Sequence, residues 1–381
     1  MKRVYFTLTV ESMQNSSIQQ NTVRGLVRAF PVPKYLAMPA VGIDISDYAI
    51  KYISLANKKG EKSLEVYGKV DLPLEVIERG EIKDMETVVK LLTRLRDEHH
   101  FNFVHLALPE EHAYLFQMSV PKGTRSEVEQ QIEFHLKENV PIDASEAVFD
   151  FSIYKKHKET YDVNVSVYPK AIALQYMSAL EESGYTLLSM EIEGQATART
   201  LLSGKDKRPV LVIDIGRNNS SVSISTQGEV TFTASLDIGG DYFTRAIARD
   251  LNISFQEAEK LKRKHGLRDT PESEMVFNSF SPLAAKFAET IRKHLMYWHM
   301  HMSSTGTEQE EVSHVVVVGG NANITGLVEY LEAILDVSVE VGDVWKKVFS
   351  YDEYIPDIHA SSSLEYATAV GLGLRGLSRS E

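Results

Sequence analysis

The chain has 381 residues, of which 43% are hydrophobic and 25% are charged, and its formal net charge is −12. This length exceeds what one hydrophobic core usually fills, so we expect two or more domains. The negative charge disfavours general nucleic-acid binding, because the chain would repel the phosphate backbone. Since cysteine is absent, disulfides, thiolate zinc sites and cysteine nucleophiles are excluded.

The N-terminal residues differ in character from the rest. Residues 11–22 are polar and rich in Gln, Asn and Ser, which predicts disorder or a translation start at Met13. The apolar positions of 23–30 follow helical spacing, with arginines on the other face. Such a helix either rests on a membrane surface or, as we favour, docks on its own protein. No signal peptide and no apolar run of about 18 residues is recognised, so we expect a cytoplasmic protein.

From residue 40 onwards the patterns predict alternating strands and helices. A hairpin at 41–53 is followed by a strand at 63–70, a loop that includes 80–82, and a helix from Asp84. Strands follow at 103–108 and 114–120. Ser126 and Glu129 predict a capping box for a helix through Val140. Further segments in this half are strands at 148–154 and 161–168, a helix at 170–182, a strand at 187–192 and a helix at 192–202.

The second half repeats the hairpin pattern at 210–224 and adds a strand at 230–235. Helices are predicted at 241–251 and at 255–264, the latter with a capping box of Ser254 and Glu257. Residues 266–280 predict a polar loop, and Ser281-Pro282 predicts the start of a long helix. The remaining segments are a strand at 315–318, a helix at 326–335, a strand at 337–341 and a helix at 364–374. Together they predict an α/β protein with mixed sheets.

The two hairpins have the same chemical pattern. In each, an apolar strand ends in an aspartate, Asp44 or Asp214, before a small polar turn. Such a turn presents backbone amides to an anion. Carboxylates are ligands of Mg²⁺, often through water, and Lys51 would neutralise phosphate charge. One hairpin alone would favour an ordinary surface turn, whereas two with matched aspartates favour a clamp for phosphate.

Two glycine pairs add to this pattern. The strand at 315–318 ends at Gly319-Gly320, which permits close approach of a flat ligand. Gly239-Gly240 opens a helix N-terminus, where anions bind favourably. A plain junction between a strand, a turn and a helix is the other interpretation of the first pair.

In this order, the hairpins and glycine pairs resemble the actin-like ATPase superfamily. Four segments are similar to segments of PilM-type type IV pilus assembly proteins: 30–46, 235–241, 258–262 and 366–376. The segment 258–262 (Ala-Glu-Lys-Leu-Lys) also resembles a helix of FtsA. The likeness covers about residues 30–378. It implies an α/β, actin-like (ribonuclease H-like) two-lobed fold with a small inserted α+β domain.

The resemblance implies that ATP with Mg²⁺ binds between the lobes, with Asp44 and Asp214 serving the metal. The cofactor-binding residues that it assigns are Asp44, Ser46, Lys51, Asp214, Gly216, Asn218, Ser220, Gly239, Gly240, Glu259, Lys262, Gly319, Gly320 and Asn321. The first turn also contains Asp47, where relatives have small residues. A carboxylate there would repel phosphate unless it points outward.

The resemblance also implies a domain layout and a partner. Residues 1–39 form an extension and connector, 40–83, 169–207 and 362–378 the first lobe, 84–168 an inserted subdomain, and 208–361 the second lobe. A groove at the inserted subdomain would bind the cytoplasmic N-terminal peptide of the inner-membrane protein PilN. The chain would then be peripheral to the inner membrane through this partner, and self-association into a ring is a further hypothesis.

Turnover of ATP is expected to be weak or absent, and we assign no catalytic residue. Hydrolysis needs a polar group that orients water, and Glu193 and Gln195 are candidates, although a polar helix start is the favoured interpretation. His294, His299 and His301 point in different directions around a helix, so they do not form one metal site. Trp298 and Trp345 are predicted to be packing residues.

Two other functions are compatible with the same fold. An FtsA-like filament protein would carry a C-terminal amphipathic membrane helix, and the residues after Gly376 are too few for one, which favours the PilM-type assignment. A sugar or acetate kinase would need an acidic base in a substrate cleft, and we identify no clear candidate. Steady ATP consumption stimulated by a small sugar or acid would favour the kinase.

Overall fold

The computed structural model describes residues 39–58, 61–203, 208–303, 311–352 and 354–378. The chain divides into two compact units. The first comprises Met1–Ala196, Val348–Tyr354 and Thr368–Glu381, and the second comprises Thr197–Lys347 and Ile355–Ala367. The predicted helix at 23–30 and the polar segment at 11–22 lie outside the described residues.

The first unit contains strands and helices in alternation, as the sequence patterns predict. In chain order they are β1 (Ala40–Ile45), β2 (Ala49–Lys58), β3 (Glu61–Asp71), β4 (Ile77–Glu78), β5 (Glu81–Ile82), α1 (Met85–His99), β6 (Phe103–Leu108), β7 (Tyr114–Pro121), α2 (Arg125–Asn139), β8 (Ala147–Lys156), β9 (Thr160–Pro169), α3 (Lys170–Glu182), β10 (Thr186–Ile192) and α4 (Glu193–Leu201). The last of these crosses into the second unit after Ala196.

The main sheet of the first unit has the strand order β10-β6-β1-β2-β3. The hairpin strands β1 and β2 are antiparallel, whereas β6 runs parallel to β1 on its other side. All six residues of β1 are buried, as expected for a central strand that is covered on both faces. Apolar residues of α1 and α3, such as Leu92 and Tyr176, complete this core.

A separate small layer lies within the first unit. It is a three-stranded antiparallel sheet of order β7-β9-β8, on which α2 packs. In its core, apolar residues at helical spacing on α2 pack against apolar residues at alternate positions of β9. They are Val128, Ile132 and Leu136 on α2 and Val163, Val165 and Val167 on β9. Because β6 belongs to the main sheet, we propose that the inserted subdomain begins after Leu108 and not at residue 84. The other domain boundaries stay predictions.

The second unit repeats the arrangement of hairpin and parallel strand. Its elements are β11 (Val210–Ile215), β12 (Ser220–Thr226), β13 (Glu229–Leu236), α5 (Gly240–Leu251), α6 (Phe255–His265), α7 (Glu274–Ser303), β14 (His314–Val318), α8 (Leu327–Leu335), β15 (Val339–Val341) and α9 (Ala360–Ser363). A final helix, α10 (Ala367–Ser378), continues into the first unit. The sheet order is β13-β12-β11-β14-β15, with β11 antiparallel to β12 and parallel to β14.

The capping box predicted for α2 lies two residues earlier than the sequence pattern suggested. The cap is Thr124, whose hydroxyl accepts from the amide of Glu127 while the Glu127 carboxylate accepts from the amide of Thr124. The prediction of Ser126 with Glu129 was wrong because the sequence offers two capping pairs two residues apart. The box of Ser254 and Glu257 is confirmed.

The polar loop predicted at 266–280 was wrong in its second half. The helix α7 begins at Glu274, so Pro282 lies inside it and not at its first position. Proline in a helix interior removes one backbone hydrogen bond and disfavours the helix. Burial of Val276 and Phe280, four residues apart on one face, compensates for this. Both tryptophans are buried, which confirms their prediction as packing residues.

Within the described ranges, no helix is both long and apolar enough to cross a bilayer.

The cap of α2 provides a test of the corrected helix start. Replacing Thr124 with Ala should lower the local stability of α2 by about 1 kcal/mol, because the amide of Glu127 loses its acceptor. Hydrogen exchange of the α2 amides would measure this change. Ser126→Ala is the matched control and should leave exchange unchanged; the reverse order of effects would restore the original assignment.

Candidate functional site

The first hairpin pairs two of the predicted residues with each other. Asp44 lies opposite Lys51 in the register of β1 and β2, and Lys51 Nζ is 2.9 Å from Asp44 Oδ2. The Asp44 side chain is 5% exposed. Ser46 closes the turn, because its amide and its hydroxyl both donate to the carbonyl of Ala49. Lys51 therefore offsets the carboxylate charge beside the turn, which makes the hairpin less repulsive to an anion.

The carboxylate of Asp47 points away from its own turn. One oxygen accepts from the amide of Arg79 and the other from the amide of Gly80, each at 3.0 Å. These amides belong to the turn between β4 and β5, which form a two-stranded hairpin where the sequence pattern predicted a loop. The predicted conflict between Asp47 and phosphate is thereby reduced, since the carboxylate already has two donors.

The second hairpin is held at its carbonyl groups by the start of α5. The amide of Gly240 donates to the carbonyl of Gly216, and the amide of Asp241 donates to the carbonyl of Arg217. The carbonyl and the N–H of a trans peptide point in opposite directions, and no cis peptide occurs among the described residues. The amides of Arg217 and Asn218 therefore point away from α5, side by side.

The same contacts change the predicted role of the Gly239-Gly240 pair. This pair does begin a helix, with Gly239 at the N-cap position. Because the amides of Gly240 and Asp241 are donated to the hairpin, they orient its backbone and are not available to an anion. A side chain at Gly239 would overlap the backbone of Asn218, so glycine permits this close approach.

The aspartate of the second hairpin contacts the first glycine after β14. Asp214 pairs with Val318 in the parallel register of β11 and β14. Gly319 follows with φ of +93°, a conformation that other residues rarely adopt, and a methyl group there would overlap the Asp214 carboxylate. Gly319 is therefore required by the packing of the protein itself.

Gly320 has a different environment. A methyl group at this position would find no atom closer than Glu365 Cβ at 3.8 Å. Its backbone also lies outside the left-handed region. Packing within the second unit therefore does not require glycine here. Of the predicted residues, Gly320 best fits a position that faces a ligand.

Lys262 joins the second hairpin, α5, α6 and the segment after β14. Its ammonium donates to the carbonyl of Gly240 at 3.0 Å and to Asn321 Oδ1 at 2.9 Å, and lies 2.8 Å from Glu259 Oε2. Asn321 Nδ2 in turn donates to the carbonyl of Gly216 at 2.8 Å. An ammonium has three hydrogens, and these three acceptors account for them. The geometry supports an architectural role for Lys262 and Asn321, with no hydrogen of Lys262 left for a ligand.

Glu259 completes the charge balance around Lys262. It accepts from the Thr244 hydroxyl at 2.6 Å and pairs with Arg263 at 2.7 Å. Burial raises the pKa of Glu259, but the hydrogen bonds from Lys262 and Thr244 outweigh it, so the pKa lies below its ordinary value. Burial lowers the pKa of Lys262, and Glu259 partly offsets this effect. The contact with Lys262 favours the charged form of Glu259, and the contact with Glu259 favours the charged form of Lys262.

Two further residues predicted for the second phosphate loop lie near it with different contacts. The Ser220 hydroxyl is buried and donates to the carbonyl of Ile238 at 2.6 Å. This bond directs the hydroxyl to the segment between β13 and α5, which argues against its predicted contact with phosphate. Asn218 Oδ1 accepts from Arg245 at 3.4 Å, a long bond, so this side chain remains a candidate for ligand contact.

Sequence reasoning missed several residues that hold these loops in place. The Thr244 hydroxyl donates to Glu259 and so links α5 to α6. The ion pair between Arg217 and Asp241, at 3.0 Å, braces the second hairpin from α5. Thr244 lies four residues after Gly240 on the same helix, and this spacing was the sequence feature that could have identified it. In the first unit, Gln195 accepts from the amide of Ile192 and donates to Ser166. These bonds favour the interpretation of Gln195 as a helix-start residue.

The described residues contain no group of three or more His, Asp or Glu side chains that could hold a metal ion. The donor chemistry nevertheless suits magnesium, which binds carboxylate oxygens and commonly keeps several waters. Each hairpin supplies one such carboxylate at a strand end, Asp44 or Asp214. Each aspartate is therefore a donor of the kind that hydrated Mg²⁺ binds, and the metal assignment stays a prediction.

The topology of the two units defines the class of the protein, which has the actin-like fold. The chain resembles a solved "PilM-PilN type IV pilus biogenesis complex" with a TM-score of 0.75 and 22% identity, over 90% of this chain and 99% of that chain. It also resembles MreB5 of Spiroplasma citri bound to ADP, with a TM-score of 0.52 and 15% identity, over 89% and 96% of the two chains.

A family model described as type IV pilus assembly protein PilM matches residues 42–377. The chain belongs to this family. A more distant similarity joins it to the cell division protein FtsA of Staphylococcus epidermidis, with 23% identity over 199 residues, which cover 49% of this chain and 43% of that protein. The chain therefore spans less than half the length of this curated relative.

The contacts of Lys262 lead to a stability prediction. Lys262→Met should lower the free energy of unfolding of the second unit by roughly 3 kcal/mol, because the carbonyl of Gly240, Asn321 and Glu259 all lose their shared donor. Both tryptophans, Trp298 and Trp345, lie in this unit, so urea denaturation followed by tryptophan fluorescence reports on it. Lys264→Met, an exposed change on the same helix, should alter stability little. Equal effects of the two variants would contradict the role of Lys262.

Proposed function

We propose that the chain is an actin-like, nucleotide-binding scaffold of the type IV pilus assembly machine. It binds ATP, with its phosphates contacted by the two hairpin turns and its adenosine beside Gly320. The observation that carries the nucleotide proposal is the orientation of the second hairpin. Its amides at Arg217 and Asn218 point side by side away from α5, which is the arrangement that suits an anion.

Magnesium fits this proposal through the two strand-end aspartates. When bound, Mg²⁺ would neutralise part of the charge of the ATP phosphates. Asp214 and Asp44 would hold it, in the latter case with Lys51 competing for the carboxylate. Lys262 and Asn321 would keep the second turn in position without contacting the nucleotide. Turnover is proposed to be weak or absent, since no side chain is assigned to orient the attacking water.

Membership of the PilM family supports a role in pilus assembly. By analogy with the solved complex named for PilM and PilN, we propose that the partner is a PilN-like inner-membrane protein. Its cytoplasmic N-terminal peptide would bind at the inserted subdomain built around β7, β8 and β9. The chain would thus be cytoplasmic and held at the inner membrane through this partner, with ring formation as a further possibility.

Gly320 allows a direct test of the nucleotide proposal. Gly320→Ala should weaken binding of ATP with Mg²⁺ by about tenfold, because a methyl group in a filled contact costs roughly 1–3 kcal/mol. The free energy of unfolding should not fall, because the methyl group would come no closer than 3.8 Å to Glu365 Cβ, an ordinary van der Waals contact. Calorimetric titration and urea denaturation would measure the two quantities.

Gly319→Ala is the contrasting variant for this experiment. It should destabilise the second unit, since the added methyl group overlaps Asp214. Unchanged ATP affinity in Gly320→Ala would contradict the placement of adenosine beside this glycine, and absence of binding in the unaltered chain would remove the nucleotide proposal.

Peptide binding tests the pilus assignment independently. The chain should bind a fluorescent peptide from the cytoplasmic N-terminus of a PilN-like protein, saturably in an anisotropy titration, and should not bind a scrambled peptide. No binding, with or without ATP and Mg²⁺, would remove the main support for this role. If the chain then sedimented as ATP-dependent polymers, the FtsA-like alternative would be favoured.

A further inference from the structure

The turn between β4 and β5 recognises an anion that belongs to the protein itself. Its two central residues, Arg79 and Gly80, have φ values of +51° and +73°. Consecutive left-handed residues bring neighbouring amides together as a small anion-binding concavity. Here the anion is the carboxylate of Asp47, which accepts from both amides at 3.0 Å.

The carbonyl groups of the same two residues are anchored from other elements. Tyr176, buried on α3, donates its hydroxyl to the carbonyl of Gly80 at 3.0 Å. His112 Nε2 lies 2.7 Å from the carbonyl of Arg79, and because a carbonyl can only accept, this nitrogen carries the proton. The backbone amides and carbonyls of the turn are thus all held by side chains. Asp47 therefore attaches the first hairpin to a fixed point of the first unit.

We propose that Asp47 is a positioning residue for the phosphates of the nucleotide. It holds the turn at Ser46 in one orientation before the nucleotide arrives, so binding does not have to order the loop. This inference rests on the proposed nucleotide-binding function. It assigns no contact between Asp47 and the ligand, because both carboxylate oxygens face Arg79 and Gly80.

An alternative role of Asp47 predicts the opposite change in ATP affinity when the carboxylate is removed. If the carboxylate acted mainly as a negative charge beside the phosphates, its removal would strengthen ATP binding. If it positions the turn, its removal loosens the loop and weakens ATP binding. Affinity for adenosine, which has no phosphates, should be insensitive to Asp47 under the positioning role, whereas a general loss of folding would reduce both affinities.

The experiment compares the unaltered chain with Asp47→Asn and Asp47→Ala by calorimetric titration with ATP and Mg²⁺ and, separately, with adenosine. Loss of charge-assisted hydrogen bonds should weaken ATP binding by about tenfold and leave adenosine binding unchanged. Glu78→Gln is the matched control, because it removes the same charge from an exposed position on β4. This control should bind ATP like the unaltered chain.

The possible results distinguish failure of the positioning role of Asp47 from failure of the proposed nucleotide-binding function. Unchanged or tighter ATP binding in both Asp47 variants would overturn the positioning role while the proposed function stands. Equal losses for ATP and adenosine would also overturn it, since the effect would then be one of folding. Absence of ATP binding in the unaltered chain would overturn the proposed function and, with it, this role of Asp47.

Discussion

The second unit depends on one buried ammonium group. Transfer of an unpaired lysine charge into a protein interior is strongly unfavourable, so Lys262 is tolerated only with compensating partners. Its three hydrogens meet the carbonyl of Gly240, the Asn321 amide oxygen and the Glu259 carboxylate. Since each acceptor lies on a different segment, satisfying this charge fixes where α5, α6 and the turn after β14 meet.

The turns of the two hairpins are both held in a fixed orientation, but by different contacts. The second is oriented by backbone donors at the start of α5 and by Asn321, which hold its carbonyl groups. The first is held through the Asp47 carboxylate, which binds the amides of a neighbouring turn. In both, the chain's own groups hold the loop backbone, and a preorganised loop loses less entropy when an anion binds.

The sequence predicted most elements because their signals are local. The strand at 103–108 and the helix at 170–182 follow from apolar runs and punctuating residues, and the actin-like class followed from the order of the motifs. The start of α7 was missed because burial of Val276 and Phe280 outweighs the proline signal, and burial is a tertiary property. Likewise, Glu259 and Lys262 were recognisable as a motif, but their hydrogen bonds to partners within the protein depend on the fold. The roles of Ser220 and Asp47 also depend on partners 18 and 32–33 residues away, which no local pattern encodes.

A crystal structure of the chain with Mg²⁺ and a non-hydrolysable ATP analogue would test the central claim most directly. We expect phosphate oxygens within hydrogen-bond distance of the amides of Arg217 and Asn218, the nucleoside in contact with Gly320, and Lys262 still bound to Asn321 and Gly240. A nucleotide bound elsewhere, or a Lys262 ammonium that leaves its protein partners to contact the nucleotide, would contradict the proposed binding site.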